Sequence, residues 1–232
     1  MCSWSSLGRP WLLTLNYSYY QAWLESSVGY KASEMQISST RFHADGSRLK
    51  ASKDKALTSF AQLGRLRLNT KRGVVTLIAS IRQYILAEAT QTLSLVSADA
   101  DDSDDDELWF GNASLPRSQG ISEFALYPED YTAHGPNGTT HTAPAFVIND
   151  ITLDEKFSQQ GYAGNGVTFY CGVPIISKAG FTIGAYTVTD DKPRDGLTPK
   201  ELRFMHDMAS TVVQYLDTVR GEAARFRGEK MV

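Results

Sequence analysis

Apolar residues along this chain fall into runs with two different periods. Over residues 52–68 they recur at helical spacing: Leu57, Phe60, Ala61 and Gly64 follow an i, i+3, i+4, i+7 stripe, and Leu63 widens it. Ser52 is the expected cap, and Asp54 suits the positive end of the helix dipole. Residues 74–78 and 84–88 then read as strands, with residues 90–96 continuing extended. Residues 167–176 and 181–188, both rich in β-branched and aromatic side chains, flank a turn at 177–180 that ends in Gly180, and so predict a hairpin. Apolar groups on both faces of these two strands imply a central pair covered on both sides.

Shorter signals fill the gaps. Residues 118–126 predict a short helix with Ile121, Phe124 and Ala125 turned inward. Residues 127–145, rich in Pro, Gly, Thr and His, predict a long irregular loop, and loops of that length are usually functional or disordered. A strand at 145–148 and a short helix at 152–157 opened by Thr152 follow. Pro174 removes a ladder donor, so a bulge or a strand end is expected near it.

The last helix opens with a capping box, with Thr198 as cap, Pro199 at the first position and Glu201 at the third. Leu202, Met205, Ala209, Val212, Leu216 and Val219 then recur at the 3.5-residue period of a coiled-coil seam. Met208 and Val213 form a second apolar edge. The expectation is that the first turns pack on the sheet and the later ones on a partner helix, giving a homodimer.

The chain divides into an N-terminal extension at 1–50, expected to be partly disordered, one domain at 51–220 and a basic tail at 221–232. Its 232 residues, 42% hydrophobic, suffice for one domain with a sizeable core. The net charge of −3 is uneven, because residues 99–107 hold seven acids. That run is expected to be a solvated acidic loop; it lacks the internal Gly of a calcium-binding EF-hand loop. Without the run the balance is mildly positive, too weak to argue for nucleic acid. Cys2 and Cys171 make no disulfide framework, which fits a reducing compartment. The apolar run at 11–15 is shorter than the roughly 7–15 residues of a signal-peptide core, and nothing approaches the roughly 20 apolar residues of a membrane span. The expected location is cytoplasmic, without membrane contact. The glycosylation sequons at Asn16, Asn112 and Asn137 are then chance matches.

Several segments carry a family likeness in their order and spacing. They are Phe169-Tyr-Cys-Gly-Val-Pro-Ile175, Ile183-Gly-Ala-Tyr186, Asp190-Asp-Lys-Pro-Arg-Asp-Gly-Leu197 and Phe204-Met-His-Asp-Met-Ala209, with Asp54-Lys-Ala-Leu-Thr-Ser-Phe60, Leu108-Trp-Phe-Gly111 and Phe146-Val-Ile-Asn-Asp150. Together they resemble a GAF domain, in particular the sensor GAF domain of fungal hybrid histidine kinases. The resemblance implies an α/β (α+β) fold with a central antiparallel sheet of about six strands flanked by helices. It also implies a ligand pocket between sheet and short helices, for which Phe110, Phe124, Asp150, Phe157, Phe169, Tyr170 and Tyr186 are the candidates. Aromatics there supply area, while Asp150 or a tyrosine hydroxyl orients a small-molecule ligand; the alternative is that these aromatics simply fill the core. The implied function is a non-catalytic sensory and regulatory module of a two-component phosphorelay.

The residues weigh against chemistry of the chain's own. His206-Asp207 is followed by Met-Ala-Ser, not by the Arg and Pro of a phosphoacceptor box, and the residues after it are too few for an ATP-binding domain. A free methionine sulfoxide reductase, the enzymatic alternative, needs a thiolate and a resolving thiol, whereas only Cys171 lies within the domain. Ser122-Glu123-Phe124 stands where related sensors sometimes carry Cys-Glu-His, which counts against covalent chromophore attachment. His43, His134, His141 and His206 lack zinc spacing, so no metal site is expected. Asn149-Asp150 and Asp154-Glu155 lie in the wrong order for a cyclic-nucleotide GAF pattern. A third reading is a pure protein-interaction module whose pocket is filled by its own side chains.

Overall fold

The computed structural model describes residues 33–34, 51–93, 108–159 and 166–229. The expectations for the rest of residues 1–50, for 94–96 and for the acidic run at 99–107 lie outside the described residues. The chain forms two compact units, one of residues 32–215 and one of residues 1–31 with 216–232.

The larger unit is built on a seven-stranded sheet. In chain order its strands are β1 (Ser33–Glu34), β2 (Arg72–Ile78), β3 (Arg82–Ala89), β4 (Ala113–Pro116), β7 (Phe146–Ile148), β8 (Phe169–Ile176) and β9 (Thr182–Asp190). The spatial order is β1-β4-β3-β2-β9-β8-β7. Six strands pair antiparallel throughout, and the two-residue β1 joins the β4 edge in parallel. The α+β sheet of about six antiparallel strands is therefore as expected. The β8–β9 hairpin closes at residues 177–180: the Gly180 N–H donates to the Ser177 carbonyl at 2.8 Å, and Gly180 adopts φ +81°. Pairing of β7 with β8 ends at Gly172, two residues before Pro174, and the β8–β9 register shifts between Ile175 and Ile176.

Helix α1 (Lys55–Leu68) covers one face of the sheet. Its cap is Asp54, not Ser52: the Asp54 carboxylate accepts from the Leu57 N–H at 3.0 Å, and the Ser52 hydroxyl accepts from the Asp54 N–H instead. A carboxylate both satisfies an orphan donor and opposes the positive helix end, which favours Asp54 over the earlier serine. Asn69 ends the helix in the left-handed region at φ 49°. Leu57, Ala61 and Leu68 are buried, and each leucine contributes roughly 1.5–3 kcal/mol when fully removed from water. Two glycines allow the close approach. A Cβ on Gly64 would overlap the Tyr186 hydroxyl, and one on Gly73 would overlap the Ala61 carbonyl. Tyr186 uses that proximity to donate to the Phe60 carbonyl at 2.6 Å.

The expected loop at 127–145 is ordered differently. It forms a separate two-stranded ribbon, β5 (Asp130–His134) with β6 (Thr140–Pro144), around a turn at Pro136–Gly138. Thr132 and Thr142 sit opposite each other with hydroxyls at 2.9 Å. β-branched residues flanking Pro-Asn-Gly make a hairpin favourable even where few apolar groups are present. The short helix expected over 118–126 is two 3₁₀ turns, Arg117–Gln119 and Ile121–Ala125, with Ile121 and Ala125 buried. That expected over 152–157 is a 3₁₀ turn at Ile151–Leu153 capped by Asp150, not Thr152.

Helix α2 (Pro199–Glu229) starts at the expected capping box: the Thr198 N–H donates to the Glu201 carboxylate at 2.8 Å, and the Glu201 N–H returns to the Thr198 hydroxyl at 3.3 Å. Leu202, Met205, Ala209, Val212 and Leu216 are buried within a single chain, while Val219 is half-buried. The early part of the predicted seam is thus already used inside the protomer. No helix among the described residues is long and apolar enough to cross a membrane.

Candidate functional site

A one-residue bulge decides which side chains meet on the open face of the sheet. Val75 pairs with Ala87 and Thr76 with Ile85, so Leu86 is the extra residue on β3. Alternation would otherwise send Glu88 away from Gln83 and Ile85; the bulge flips its parity and brings it onto their face. Opposite α1, the sheet therefore presents Arg72, Val74 and Thr76 from β2, Gln83, Ile85 and Glu88 from β3, Tyr170 from β8, and Thr187 and Thr189 from β9.

Over this face lie residues 108–111 and the turn at Ile121–Ala125. Glu88 holds the first of these segments in place. Its carboxylate accepts from the N–H groups of Trp109, Phe110 and Gly111 at 2.8–3.1 Å. It also accepts from Arg72 Nη1 at 3.0 Å, and the Arg72 guanidinium lies 3.9 Å from the Trp109 ring centroid. Gly111, at φ +56°, lets the backbone turn so that its N–H joins the other two.

Between sheet and cover lies a cavity of about 50 Å³. Val74, Ile85, Trp109, Phe110, Leu115 and Ile121 make its apolar wall. Thr76, Gln83, Ser122, Tyr170, Thr187 and Thr189 supply the polar atoms. Two of these are buried without a hydrogen-bond partner: the Thr76 hydroxyl and the Gln83 amide nitrogen. Leaving such a group unpaired costs about 1–3 kcal/mol. Tyr170 contacts the Thr187 hydroxyl at 3.3 Å. Burial pushes its phenol up to about 12, against the smaller lowering effect of hydrogen bonds with Ser122 and Thr187. It is a neutral hydrogen-bonding group near pH 7.

The predicted pocket residues divide. Phe110 and Tyr170 line the cavity. Phe124 and Phe157 lie beside it in an aromatic cluster with Phe146 and Tyr170, ring centroids 5.0–5.8 Å apart; Lys156 stacks over Phe124 at 4.0 Å. Phe169 and Tyr186 are on the opposite face, since adjacent strand residues point to opposite sides; both are fully buried, and Tyr186 bonds to α1. Asp150 does not line the cavity. Its carboxylate accepts from the Thr152 N–H at 2.9 Å and the Thr152 hydroxyl at 2.6 Å. Arg72, Thr76, Gln83 and Glu88 were not anticipated. The signal available for them is a set of polar residues inside strands that are otherwise apolar.

Cys171 also lies on the α1 face, fully buried, and burial pushes its thiol far above the ordinary cysteine range. It is a protonated core residue there, well short of the thiolate that redox chemistry needs. His206, in α2, donates to the Pro144 carbonyl. Burial lowers its affinity for a proton, and this outweighs the hydrogen bond.

Comparison with known proteins follows this geometry. A domain attributed to a two-component sensor histidine kinase of Sinorhizobium meliloti 1021 is 15% identical, with a TM-score of 0.48 over 75% of this chain and 97% of that one. The PixJ GAF domain of Thermosynechococcus elongatus, in its blue-light absorbing form, is 13% identical, with a TM-score of 0.47 over 75% of this chain and 92% of that one. A cyclic di-GMP phosphodiesterase of Pseudomonas aeruginosa is 29% identical over 77 residues, which are 32% of this chain and 13% of that protein. The chain thus matches only a small part of that curated relative's length. The family model for the GAF domain matches residues 54–216. With the strand order and the cover over the open face already in view, this places the chain in the GAF domain family.

Proposed function

We propose that this GAF domain is a non-catalytic sensory module of a two-component phosphorelay, of the kind its sequence resembles in fungal hybrid histidine kinases, and that it binds a small uncharged ligand in the cavity over β2 and β3. One observation carries the binding part: the Thr76 hydroxyl and Gln83 amide are buried, unpartnered and at an otherwise apolar wall. A ligand offering an acceptor to Gln83 and a hydrogen-bonding group to Thr76 removes both penalties. Size limits the ligand. A site of about 50 Å³, at roughly 10–15 Å³ per water-sized probe, suits a molecule of a few non-hydrogen atoms. Charge limits it too, since Arg72 is held by Glu88 and Tyr170 is neutral.

The non-catalytic reading is supported by the position of Cys171, which is buried on the face of the sheet away from the cavity. Reporting would run through α2, whose first turns are buried in the same unit as the cavity. Thermal-shift titration with acetamide, N-methylformamide and dimethyl sulfoxide tests the binding part. Saturable stabilisation of the wild type, lost in Gln83→Leu, is expected. Equal shifts in wild type and Gln83→Leu would overturn it, and would favour a module acting through protein contacts alone.

A further inference from the structure

A second site lies on the α1 side of the sheet, at the end where α1 and β9 stop and β2 begins. Alternation separates it from the cavity: Arg72 and Thr189 line the cavity, while their neighbours Lys71 and Asp190 line an open cleft of about 580 Å³. Four cations and two acids line this cleft. Lys71 is paired with Asp191 at 2.9 Å. Arg194 contacts Asp190 at 3.5 Å and donates to the Leu68 carbonyl at 2.7 Å. These contacts, with a longer one from Arg194 to Glu201 at 3.9 Å, commit Lys71 and Arg194 and leave Arg65 and Lys192.

Arg65 is the unusual member. It is 6% exposed, its Nε is buried without a hydrogen-bond partner, and no carboxylate among the described residues pairs with it. A guanidinium so far removed from water is normally paired or hydrogen-bonded. Lys192 stands exposed at the rim, also outside any ion pair among the described residues. Two uncommitted cations call for a dianion. A carboxylate supplies one charge, whereas a phosphate monoester carries close to two at neutral pH, with a second pKa of about 6. Its three oxygens also suit the fixed fork of a guanidinium, with an ammonium as a second point charge.

We propose that the Arg65–Lys192 cleft binds the phosphoryl group of a small phosphorylated molecule, independently of the cavity on the other face. Arg65 binds the phosphoryl oxygens directly, and Lys192 closes over them from the rim.

Isothermal titration calorimetry of the full chain at constant ionic strength tests this, with inorganic phosphate, glucose 6-phosphate and acetate as probes. Both phosphates should bind saturably and acetate should not. Tighter binding of the sugar phosphate would place the body of the ligand in the cleft; equal binding would identify free phosphate as the ligand. Arg65→Met keeps the packed stem and removes the charge. It should weaken phosphate binding by about tenfold or more, while its urea midpoint in phosphate-free buffer holds or rises because an unpaired buried charge is gone. Lys192→Ala, at an exposed position that carries no packing, should weaken binding about threefold. Absence of saturable binding, acetate binding as tight as phosphate, or unchanged affinity in Lys192→Ala would each overturn the proposal. So would unchanged affinity in a folded Arg65→Met.

Discussion

Arg72 and Glu88 meet at 3.0 Å across the β2–β3 pair, their side chains 3% and 0% exposed. The two partners do not depend on each other equally. Glu88 keeps three backbone N–H donors without Arg72, whereas Glu88 is the carboxylate to which the buried Arg72 guanidinium donates beside the Trp109 ring. Glu88→Gln should therefore destabilise the fold by about 3–5 kcal/mol, the usual cost of breaking a buried pair, and more than Arg72→Met does. The double variant Arg72→Met/Glu88→Leu should not return to wild-type stability, because the N–H groups of residues 109–111 lose their acceptor. Urea unfolding read by tryptophan fluorescence checks the order. Equal stability of wild type and Glu88→Gln would show that the carboxylate does not hold the cover in place.

The contact of α1 with the sheet depends on two positions without a Cβ. An alanine at Gly73 would drive its methyl into the Ala61 carbonyl, which is backbone and cannot turn aside. At Gly64 the obstacle is the Tyr186 hydroxyl, on a ring that is itself fully buried. Gly64→Ala would gain about 1 kcal/mol of helix propensity at an exposed site; here it should destabilise instead. Gly73→Ala should cost about 2–3 kcal/mol, in the range of overpacked cores. Thermal denaturation of both variants decides the matter, and a stabilised Gly64→Ala would show that Tyr186 has room to move.

Much of the fold was legible because its signals are local. The β8–β9 hairpin follows from two β-branched runs around a turn ending in Gly180, and the α2 start from Thr198, Pro199 and Glu201. The β5–β6 ribbon was missed because Thr132, His134, Thr140 and Thr142 are polar, and its stability rests on cross-strand pairs instead of an apolar face. The candidate site was legible only in part. Phe169 and Tyr170 look equivalent in sequence, yet the pleat sends one to each side. Glu88 reaches the cavity face through the bulge at Leu86, a register shift that depends on the partner strand and leaves no mark in β3 alone. Arg65 sits on the helical stripe that the period marks as apolar, and only the packed structure shows that its charge lies unpaired at a cleft.

The seam of α2 should respond differently along its length. Leu202 and Met205 are fully buried in one chain, so Leu202→Asp places a charge in the core and should cost about 4 kcal/mol or more. That variant should lose its folded far-ultraviolet signal, whatever the oligomeric state. Val219 is half-buried, so Val219→Asp should stay folded, with its far-ultraviolet signal intact. Light scattering coupled to size exclusion then tests whether late turns join two copies. A dimeric wild type and a monomeric, folded Val219→Asp are expected, and a monomeric wild type would end the dimer reading.

Stability should fall on mild acidification because of His206. Its folded-state proton affinity is lowered, first by burial and also by His141, against the raising effects of the Pro144 carbonyl and Asp207. The unfolded chain therefore binds the proton more readily than the folded one. Stability is fully present above the unfolded value of about 6.5 and declines as pH drops below it toward the lower folded value. Asp190 shifts upward and works with the opposite sign at more acidic pH, where burial favours its protonated form. Comparing wild type with His206→Gln cancels that contribution. Urea midpoints at pH 7.5 and 5.5 should differ more for wild type than for His206→Gln; identical pH slopes would show that the imidazole titrates alike in the folded and unfolded chain.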